Sequence, residues 1–307
     1  MTEPIFTVVM PLFNKAAFIE ATLASIAAQT FGDYEVVVVD DGSTDSGPTL
    51  VEAAGNRVRL LRQHNAGPGL ARNAGIAAAK GEWIAFLDAD DLWRPDHLQT
   101  FADMIGACPA ADLVATGFSR GEGLEAVSAG STVGPRYIDF FKEHQLIWTS
   151  AVAVRRTALV AEPFGAAWPG EDVELWIRLA LNHRFAVHPA RTAVYVQRTG
   201  GAMDSLTAAA TPIAQQPVFA TIDAVMADPT QAEHHRAVAS LRDQLLVDYT
   251  RPSLFNGKMS LARAYLRALR DGGGKAPRLY SVLAWLPGPV VAAGARMVGG
   301  VKRLLGR

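Results

Sequence analysis

The residues best suited to chemistry stand at the end of an apolar run of strand length. The run at 83–87 is followed by Asp88, Asp90 and Asp91. A short apolar run bounded by turn signals is typical of a buried strand, and open α/β sheets bind ligands beyond the carboxyl ends of their strands. Asp88 and Asp90 are two residues apart, so in extended chain they point the same way. Two hard oxygen donors suit Mg²⁺ or Mn²⁺ bridging to a diphosphate; the alternative is a solvated acidic turn.

Two further acidic pairs stand in comparable places. Asp40 and Asp41 follow the valine-rich run 34–39, and Glu171 and Asp172 open a segment with a helical apolar stripe. The strand-following loops of a parallel sheet share one edge, so the first pair can approach Asp88; chain order does not show that the second pair joins them. If it does, the site suits attack by a hydroxyl on a carbon whose leaving group is a diphosphate, with a metal and a carboxylate base.

The elements that must position these groups alternate in type. Apolar strand-length runs at 6–10, 34–39, 58–61 and 83–87 are separated by helical patterns, one with Ile19, Leu23 and Ile26 on one face and one with Leu70, Ala74 and Ala77. This alternation predicts right-handed βαβ units and a parallel sheet. Further on, we predict helices at 95–105, 137–143 and 172–181, strands at 111–116, 149–154, 185–187 and 193–196, a loop at 117–134, and helices after residue 211.

Composition narrows the function classes. The chain has 307 residues, a formal net charge of −1 and one cysteine. This charge gives no reason to expect nucleic acid as a partner, and one cysteine excludes an internal disulfide framework. The N-terminus has no basic segment typical of a signal peptide, so the cytoplasm is the expected compartment. No charge-free apolar run is long enough to predict a membrane-spanning helix.

Seven motifs, taken together, resemble the family 2 glycosyltransferases. Their order and spacing match from about residue 6 to residue 182. They are Val8-Val9-Met10-Pro11-Leu12-Phe13-Asn14, Gln29-Thr30-Phe31, the segment 35–43 with Asp40-Asp41-Gly42-Ser43, Asn65-Ala66-Gly67-Pro68, Ala71-Arg72-Asn73-Ala74-Gly75, Leu87-Asp88-Ala89-Asp90-Asp91 and Gly170-Glu171-Asp172.

The resemblance implies a GT-A fold, a Rossmann-like α/β fold with a mainly parallel central sheet flanked by helices. It also implies transfer from a nucleotide-sugar, most simply a UDP-sugar, with inversion at the anomeric carbon and with Mn²⁺ or Mg²⁺. The implied roles are nucleobase contact for Pro11, Phe13 and Asp41, base and diphosphate contact for Arg72, ribose or sugar contact for Asp88, metal binding for Asp90, catalytic base for Asp172, and orientation of the acceptor or donor sugar for Glu171.

Plainer interpretations stand beside these roles. Asp41 could cap the turn at 40–45, and Arg72 could be a surface charge on its helix. Glu171 and Asp172 are also favourable at a helix N-terminus for electrostatic reasons alone. Trp168, on a loop before the predicted base, is the candidate for stacking on an acceptor sugar.

One departure from the family pattern concerns the diphosphate. Many members have a histidine in a Tyr-x-x-His context after the last short strand, whereas this chain has Tyr195-Val196-Gln197-Arg198. Arg198 cannot bind a cation but can pair with phosphate oxygens. We therefore expect the metal to have fewer protein ligands here and Arg198 to contact the diphosphate.

The C-terminal segment lies outside the resemblance. From Lys258 to Arg307 there are ten basic residues and one acid, Asp271. Around 261–270, apolar and arginine residues fall on opposite helical faces, a pattern that predicts contact with a membrane interface. The alternative is that these helices pack on the catalytic domain or on a second subunit.

Together these observations predict a catalytic domain at 1–205, with a nucleotide-binding half at 1–95 and an acceptor half at 96–205, and a helical region at 206–307. The predicted acceptor is a cell-envelope, extracellular or lipid-linked glycan, reached at the inner face of the cytoplasmic membrane; a homo-oligomer is left open. A dinucleotide-binding dehydrogenase is disfavoured because the first βα turn lacks the G-x-G-x-x-G fingerprint. A non-catalytic scaffold of the same fold is the alternative, although Asp90 and Asp172 are both present.

Overall fold

The structure is a computed structural model that describes residues 3–55, 57–120, 133–136, 147–166, 169–196 and 212–293. The chain divides into two compact units, Met1–Arg198 and Thr199–Arg307. Every site residue predicted from the sequence belongs to the first unit. The first unit is therefore the one whose fold positions the candidate site.

The described strands of the first unit form one mixed sheet. They are β1 (Phe6–Leu12), β2 (Tyr34–Asp40), β3 (Val58–Arg62), β4 (Trp83–Phe86), β5 (Leu92–Trp93), β6 (Leu113–Arg120), β7 (Val133–Arg136), β8 (Val152–Arg155) and β9 (Phe185–Tyr195). The described helices of this unit are α1 (Ile19–Ala27), α2 (Gly47–Ala53), α3 (Pro68–Ala78), α4 (His97–Ala107), α5 (Arg156–Ala161) and α6 (Glu171–Asn182). The strand order is β3-β2-β1-β4-β8-β6-β9-β5, with β7 paired to β9.

Parallel pairing brings the predicted site loops to one edge of the sheet. β1 pairs in parallel with β2 and β4, and β2 pairs in parallel with β3. Leu12 lies opposite Asp40, and Val9 lies opposite Phe86. The loops that follow β2 and β4 therefore leave the same edge. Beyond β4 the sheet becomes mixed, because β8 runs antiparallel to β4 and β6, while β6 is parallel to β9.

The apolar pattern accounts for most of this core. Residues 36–39 of β2 are all valines that are at most 2% exposed, as expected for a strand covered on both faces. The predicted stripe of α1, with Ile19, Leu23 and Ile26, is buried.

The predicted stripe of α3 is only partly correct, since Leu70 and Ala74 are half-buried rather than buried. Its buried face contains Ala71, Arg72, Gly75 and Ile76, and Ala77 is exposed. A Cβ atom on Gly75 would lie 2.5 Å from Cγ1 of Val9. Small residues face the sheet because this helix packs too closely on β1 for larger ones.

Several element bounds also differ from the sequence prediction. β1 continues through Pro11 to Leu12, since the Asp41 N–H donates to the Leu12 carbonyl oxygen at 2.8 Å. The two short strands predicted at 185–187 and 193–196 form one strand, β9, which pairs with β6 through register shifts around Gly117. β6 itself runs to Arg120, into the predicted loop. The helix predicted at 137–143 lies outside the described residues.

In its described part, the second unit consists mainly of helices, as predicted. The helices are α7 (Pro217–Ala227), α8 (His235–Phe255), α9 (Met259–Asp271) and α10 (Arg278–Leu283). The apolar face of α9 is buried inside this unit, where Ala262 and Leu266 pack with Leu254 of α8. That apolar face therefore does not lie against a membrane. Within the described ranges, no helix has both the length and the hydropathy needed to cross a bilayer.

Candidate active site

Arg72 joins two of the predicted acidic groups. It lies on α3, and its Nη2 donates to Asp88 Oδ1 at 2.7 Å while its Nη1 donates to Glu171 Oε1 at 2.9 Å. Arg72 is 4% exposed, so the alternative interpretation, a surface charge on its helix, is wrong. The guanidinium carbon also lies 5.4 Å from the centre of the Phe164 ring. Arg72 thus connects the edge of the sheet to the start of α6.

Close backbone packing makes this connection possible. A Cβ atom on Gly69, in the first turn of α3, would lie 2.7 Å from the Gly165 carbonyl oxygen and 3.0 Å from Cγ of Glu171. The absence of a side chain at this position lets α3 approach the loop before α6. Chain order left open whether Glu171 meets Asp88, and the structure places them on two sides of one guanidinium.

The pKa values of Arg72 and Glu171 are shifted by burial and by neighbouring charges. Burial alone would lower the pKa of Arg72, but the charges of Asp88, Glu171 and Asp172 raise it above its usual value. Burial and the charge of Asp172 raise the pKa of Glu171 to about 7, against the lowering effect of Arg72. Perturbed carboxyl groups clustered at a sheet edge are typical of a functional site.

Asp41 holds the turn that leads into α3. Its Oδ1 accepts from Gln63 Nε2 at 2.7 Å and from the Ala66 N–H at 2.8 Å, and its Oδ2 accepts from the Gly67 N–H at 2.9 Å. The turn at 40–45 is instead capped by Asp40, whose Oδ1 accepts from the Ser43 N–H at 2.9 Å. The capping alternative for Asp41 is therefore wrong. A carboxylate accepts about four hydrogen bonds, so about one position is left for a ligand.

Asp90 forms an ion pair with Lys15. The Lys15 ammonium contacts Asp90 Oδ2, and the two side chains are 23% and 33% exposed. Lys15 lies just after β1, in a segment tied to the loop after β2, where Asn14 Oδ1 accepts from the Thr44 N–H at 2.8 Å. The predicted metal-binding carboxylate is thus accessible to solvent and carries a cationic partner.

Asp91 is buried and connects three segments. Its Oδ2 accepts from Ser150 Oγ at 2.6 Å and from Trp148 Nε1 at 2.8 Å, and its Oδ1 accepts from the Val196 N–H at 3.3 Å. Burial and the charge of Asp88 raise the pKa of Asp91 to about 7, while its hydrogen bonds from Ser150 and Trp148 lower it. With 1% exposure, Asp91 has a structural role beside the more exposed Asp88 and Asp90.

Asp172 lies at the N-terminus of α6. Gly170 precedes it with φ 98°, a conformation that favours glycine. Asp172 Oδ2 accepts from Thr149 Oγ1 at 2.9 Å, and Oδ1 accepts from the Val173 N–H at 2.8 Å. The predicted position at a helix N-terminus is thus correct. The preceding residue, Glu171, pairs with Arg72, and the charge of Asp172 also acts on Arg72. Both carboxylates therefore lie near the arginine that contacts Asp88.

Comparison with known proteins decides the family. The profile described as glycosyl transferase family 2 matches residues 7–160, half of the chain. The chain belongs to glycosyl transferase family 2.

Curated relatives agree with this assignment. The chain is 38% identical over 215 residues to the succinoglycan biosynthesis protein ExoO of Rhizobium meliloti, a match that covers 64% of this chain and 62% of the relative. It is 36% identical over 141 residues to an uncharacterized glycosyltransferase of Nostoc, a match that covers 42% of each protein. The chain thus spans between about two fifths and three fifths of the length of these relatives.

Solved structures confirm the GT-A fold. S. aureus TarS residues 1–349 in complex with UDP-GlcNAc superposes with a TM-score of 0.70 at 23% identity, covering 91% of this chain and 83% of TarS. The mannosyltransferase PcManGT from Pyrobaculum calidifontis, in complex with GDP-Man and Mn²⁺, gives a TM-score of 0.62 at 20% identity, covering 99% of this chain and 88% of that one.

The described residues of this family 2 protein offer few ligands for a metal ion. Among the described residues, no three His, Cys, Asp or Glu side chains converge as a ready-made metal site. Mg²⁺ is commonly held by one or two carboxylates together with substrate phosphates and water. The accessible Asp90 suits that arrangement.

The remaining predicted residues have mixed outcomes. Pro11 is half-buried near the end of β1, and Phe13 is 44% exposed just beyond it. Both lie at the same edge as Asp41, because Leu12 is opposite Asp40. Arg198 and Trp168 lie outside the described residues. Lys15, Thr149 and the partners of Asp91 were not predicted from the sequence. The only signal for Lys15 was its place four residues after Pro11 in the first βα turn.

Proposed function

We propose that this protein is an inverting glycosyltransferase that moves a sugar from a nucleotide-diphosphate sugar to an acceptor hydroxyl. One observation supports this function above all. Arg72 holds Asp88 and Glu171 at one sheet edge, with the accessible Asp90 and the Thr149-bound Asp172 at the same edge. Such a set of groups can bind a charged donor and deprotonate an acceptor.

The donor would lie along the carboxyl ends of β1, β2 and β4. Pro11, Phe13 and Asp41 would contact the nucleobase, Arg72 would lie near the base and the diphosphate, and Asp88 would contact the ribose or sugar. Arg198 would pair with the diphosphate. A uridine donor is favoured because TarS, a structure of the same fold, is described with UDP-GlcNAc; PcManGT with GDP-Man makes GDP the competing choice.

Asp90 would hold a divalent metal, Mn²⁺ or Mg²⁺, which when bound neutralises charge on the leaving diphosphate. PcManGT is described with Mn²⁺. Lys15 pairs with the Asp90 carboxylate, so a metal at Asp90 would compete with this ion pair.

Asp172 would act as the general base. The acceptor oxygen forms a bond to the anomeric carbon, the bond from that carbon to the diphosphate oxygen breaks, and the acceptor proton passes to Asp172. The hydrogen bond from Thr149 at 2.9 Å fixes the orientation of this carboxylate. Glu171, held by Arg72, would orient the acceptor or donor sugar, and Trp168 would stack on the acceptor.

We assign the catalytic domain to 1–205, with the nucleotide-binding half at 1–95, the acceptor half at 96–205 and the helical region at 206–307. The acceptor would be an envelope, extracellular or lipid-linked glycan, since the relative ExoO is described as a succinoglycan biosynthesis protein. A charged donor does not cross a bilayer unaided. We therefore place the reaction at the inner face of the cytoplasmic membrane, where a cytoplasmic donor is available.

Donor binding and donor turnover test this function separately. UDP and GDP are titrated calorimetrically into the full chain with and without Mn²⁺, and slow hydrolysis of the matching nucleotide-sugars is followed by release of nucleotide. Asp90→Asn should weaken Mn²⁺-dependent binding. Asp172→Asn should keep binding but lower turnover about 10²- to 10⁴-fold, the usual contribution of a general base. Asp33→Asn is the control, because Asp33 is exposed and lies before β2, at the opposite end of that strand.

Each outcome has a clear meaning. Binding of UDP with turnover that depends on Asp172 supports the proposal, and the same result with GDP replaces only the donor. Binding without turnover in the wild type favours the non-catalytic scaffold. No binding of either nucleotide overturns the proposed function.

A further inference from the structure

The second unit exposes large apolar side chains in one short stretch. Five of them, called here the apolar rim, are Leu279, Val282, Trp285, Leu286 and Val290, which are 62%, 62%, 79%, 39% and 57% exposed. The segment 279–293 contains no charged residue. Leu279 and Val282 are three residues apart on α10 and therefore lie on one helical face. A cluster of this kind is typical of a contact surface rather than of scattered exposed residues.

A row of arginines lies beside the apolar rim. Arg263, Arg267 and Arg270, called here the arginine row, are exposed on the outward face of α9, whose other face is buried in the unit. The row and the rim are in contact, because Arg263 Nε donates to the Ala284 carbonyl oxygen at 2.7 Å and its guanidinium carbon lies 5.8 Å from the centre of the Trp285 ring.

The contact between row and rim forms a concave surface. A cleft of about 310 Å³ separates α9 from the end of α10. Its lining consists of the three arginines with Asp271, Ser281, Ala284 and Trp285. Two more exposed basic residues lie close by, Lys275 in the connection between the helices and Arg278 at the start of α10. Asp271 is the one acid between 258 and 293. Positive charge therefore faces solvent directly beside exposed apolar side chains.

We propose that this surface docks onto a bilayer that contains anionic phospholipid. Arginines attract phosphate head groups, while an exposed tryptophan and its apolar neighbours can enter the boundary between head groups and acyl chains. A second copy of the chain fits less well, since a twofold contact would place the same patch on both partners and oppose like charges. This inference rests on the second unit alone and does not depend on the proposed chemistry.

Vesicle co-sedimentation of the full chain tests the proposal. Vesicles of phosphatidylcholine alone are compared with vesicles of phosphatidylcholine and phosphatidylserine, at low and high salt. The wild type should bind the anionic vesicles, and binding should fall about fivefold for each of Arg267→Gln and Arg270→Gln, because a basic residue near an anionic surface contributes about a factor of five. Trp285→Ser should also weaken binding.

Two control variants replace side chains of similar exposure in the first unit. Val160→Ser removes a side chain of the first unit that is 65% exposed, and Arg62→Gln removes an exposed arginine of β3; neither should alter vesicle binding. Failure to bind anionic vesicles, equal binding to both vesicle types, or equal loss in the controls would overturn the proposal. A dimer in light scattering that disappears in Trp285→Ser, with no vesicle binding, would assign the surface to self-association instead. Far-UV circular dichroism establishes that each variant is folded.

Discussion

Replacement of Arg72 by leucine tests whether the buried arginine holds the candidate site together. The change removes the donor to Glu171, which is 5% exposed, and the donor to Asp88, whose side chain is 27% exposed. Asp88 can recover contact with water, but Glu171 is left buried without its cation. Breaking a buried pair in this way costs about 3–5 kcal/mol. Loss of the buried Arg72 Nε, which has no partner in the described part of the chain, offsets a small part of that cost.

The cost should depend on pH in a defined direction. The folded-state pKa of Glu171 is about 7, above its ordinary value of 4.5. Between these two pH values the folded protein keeps a proton that the unfolded chain releases, so stability falls as pH rises from 4.5 to about 7. Without Arg72 this pKa rises further. Above pH 7 the stability of Arg72→Leu should therefore keep falling, by at most about 1.4 kcal/mol per pH unit. In the wild type, the contribution of Glu171 no longer changes with pH in that range.

Urea denaturation followed by tryptophan fluorescence measures this effect. Five of the six tryptophans belong to residues 1–198, so the signal reports on the first unit. Arg62→Leu is the control, because it removes the same charge from a pair with Glu52 whose side chains are 57% and 54% exposed; it should cost at most about 1 kcal/mol. Equal losses for the two variants at every pH would refute the reasoning.

Three other changes test separate contacts. Burial lowers the pKa of His97 to about 3, and unfolding restores it to 6.5. As the pH falls from 6.5 to about 4.5, the wild type should therefore lose about 2–3 kcal/mol of stability relative to His97→Phe. Gly75→Ala should cost about 1–3 kcal/mol, because its Cβ would lie 2.5 Å from Val9. Lys15→Met should let the nucleotide-free protein bind Mn²⁺ up to about fivefold more tightly by removing a half-exposed competitor, as measured from the free Mn²⁺ paramagnetic signal.

These three changes have separate controls and contrary outcomes. Gly106→Ala, in α4, places a Cβ where no atom lies within 4 Å, so it should gain about 0.5–1 kcal/mol. A loss as large as that of Gly75→Ala would show that packing against Val9 is not the cause. A stability difference for His97→Phe that does not change with pH, in urea titrations at matched pH values, would contradict a neutral buried imidazole. Weaker Mn²⁺ binding by Lys15→Met would mean that Lys15 supports the metal site.

Sequence patterns predicted most strands and helices because the two kinds of element differ in apolar period. The valines of β2 and the stripe of α1 are local signals, and both were predicted correctly. The buried face of α3 was predicted only in part, because hydropathy favours Leu70, whereas the close approach to β1 requires glycine and alanine. β9 appeared as two pieces because His188, Pro189 and Arg191 interrupt its apolar pattern.

The site depended more on contacts between distant residues. The family resemblance named four of the site residues: Asp41, Arg72, Asp88 and Glu171. No sequence pattern shows that Asp41 binds the 66–67 backbone, or that the Arg72 guanidinium contacts both Asp88 and Glu171. Lys15 and Asp90 are 75 positions apart. Their ion pair arises only when the sheet sets β1 beside β4.

Asp91 has a consequence for the construction of chimeric enzymes. The donors to its side chain are Trp148, Ser150 and Val196, and all three belong to 96–205, the half that we propose contacts the acceptor. A crossover between α4 and β6 would separate this buried carboxyl group from every one of them. A chimera in which the incoming half lacks matching donors should fold poorly even if both parents are active, so this carboxyl group and its donors should be transplanted from one parent.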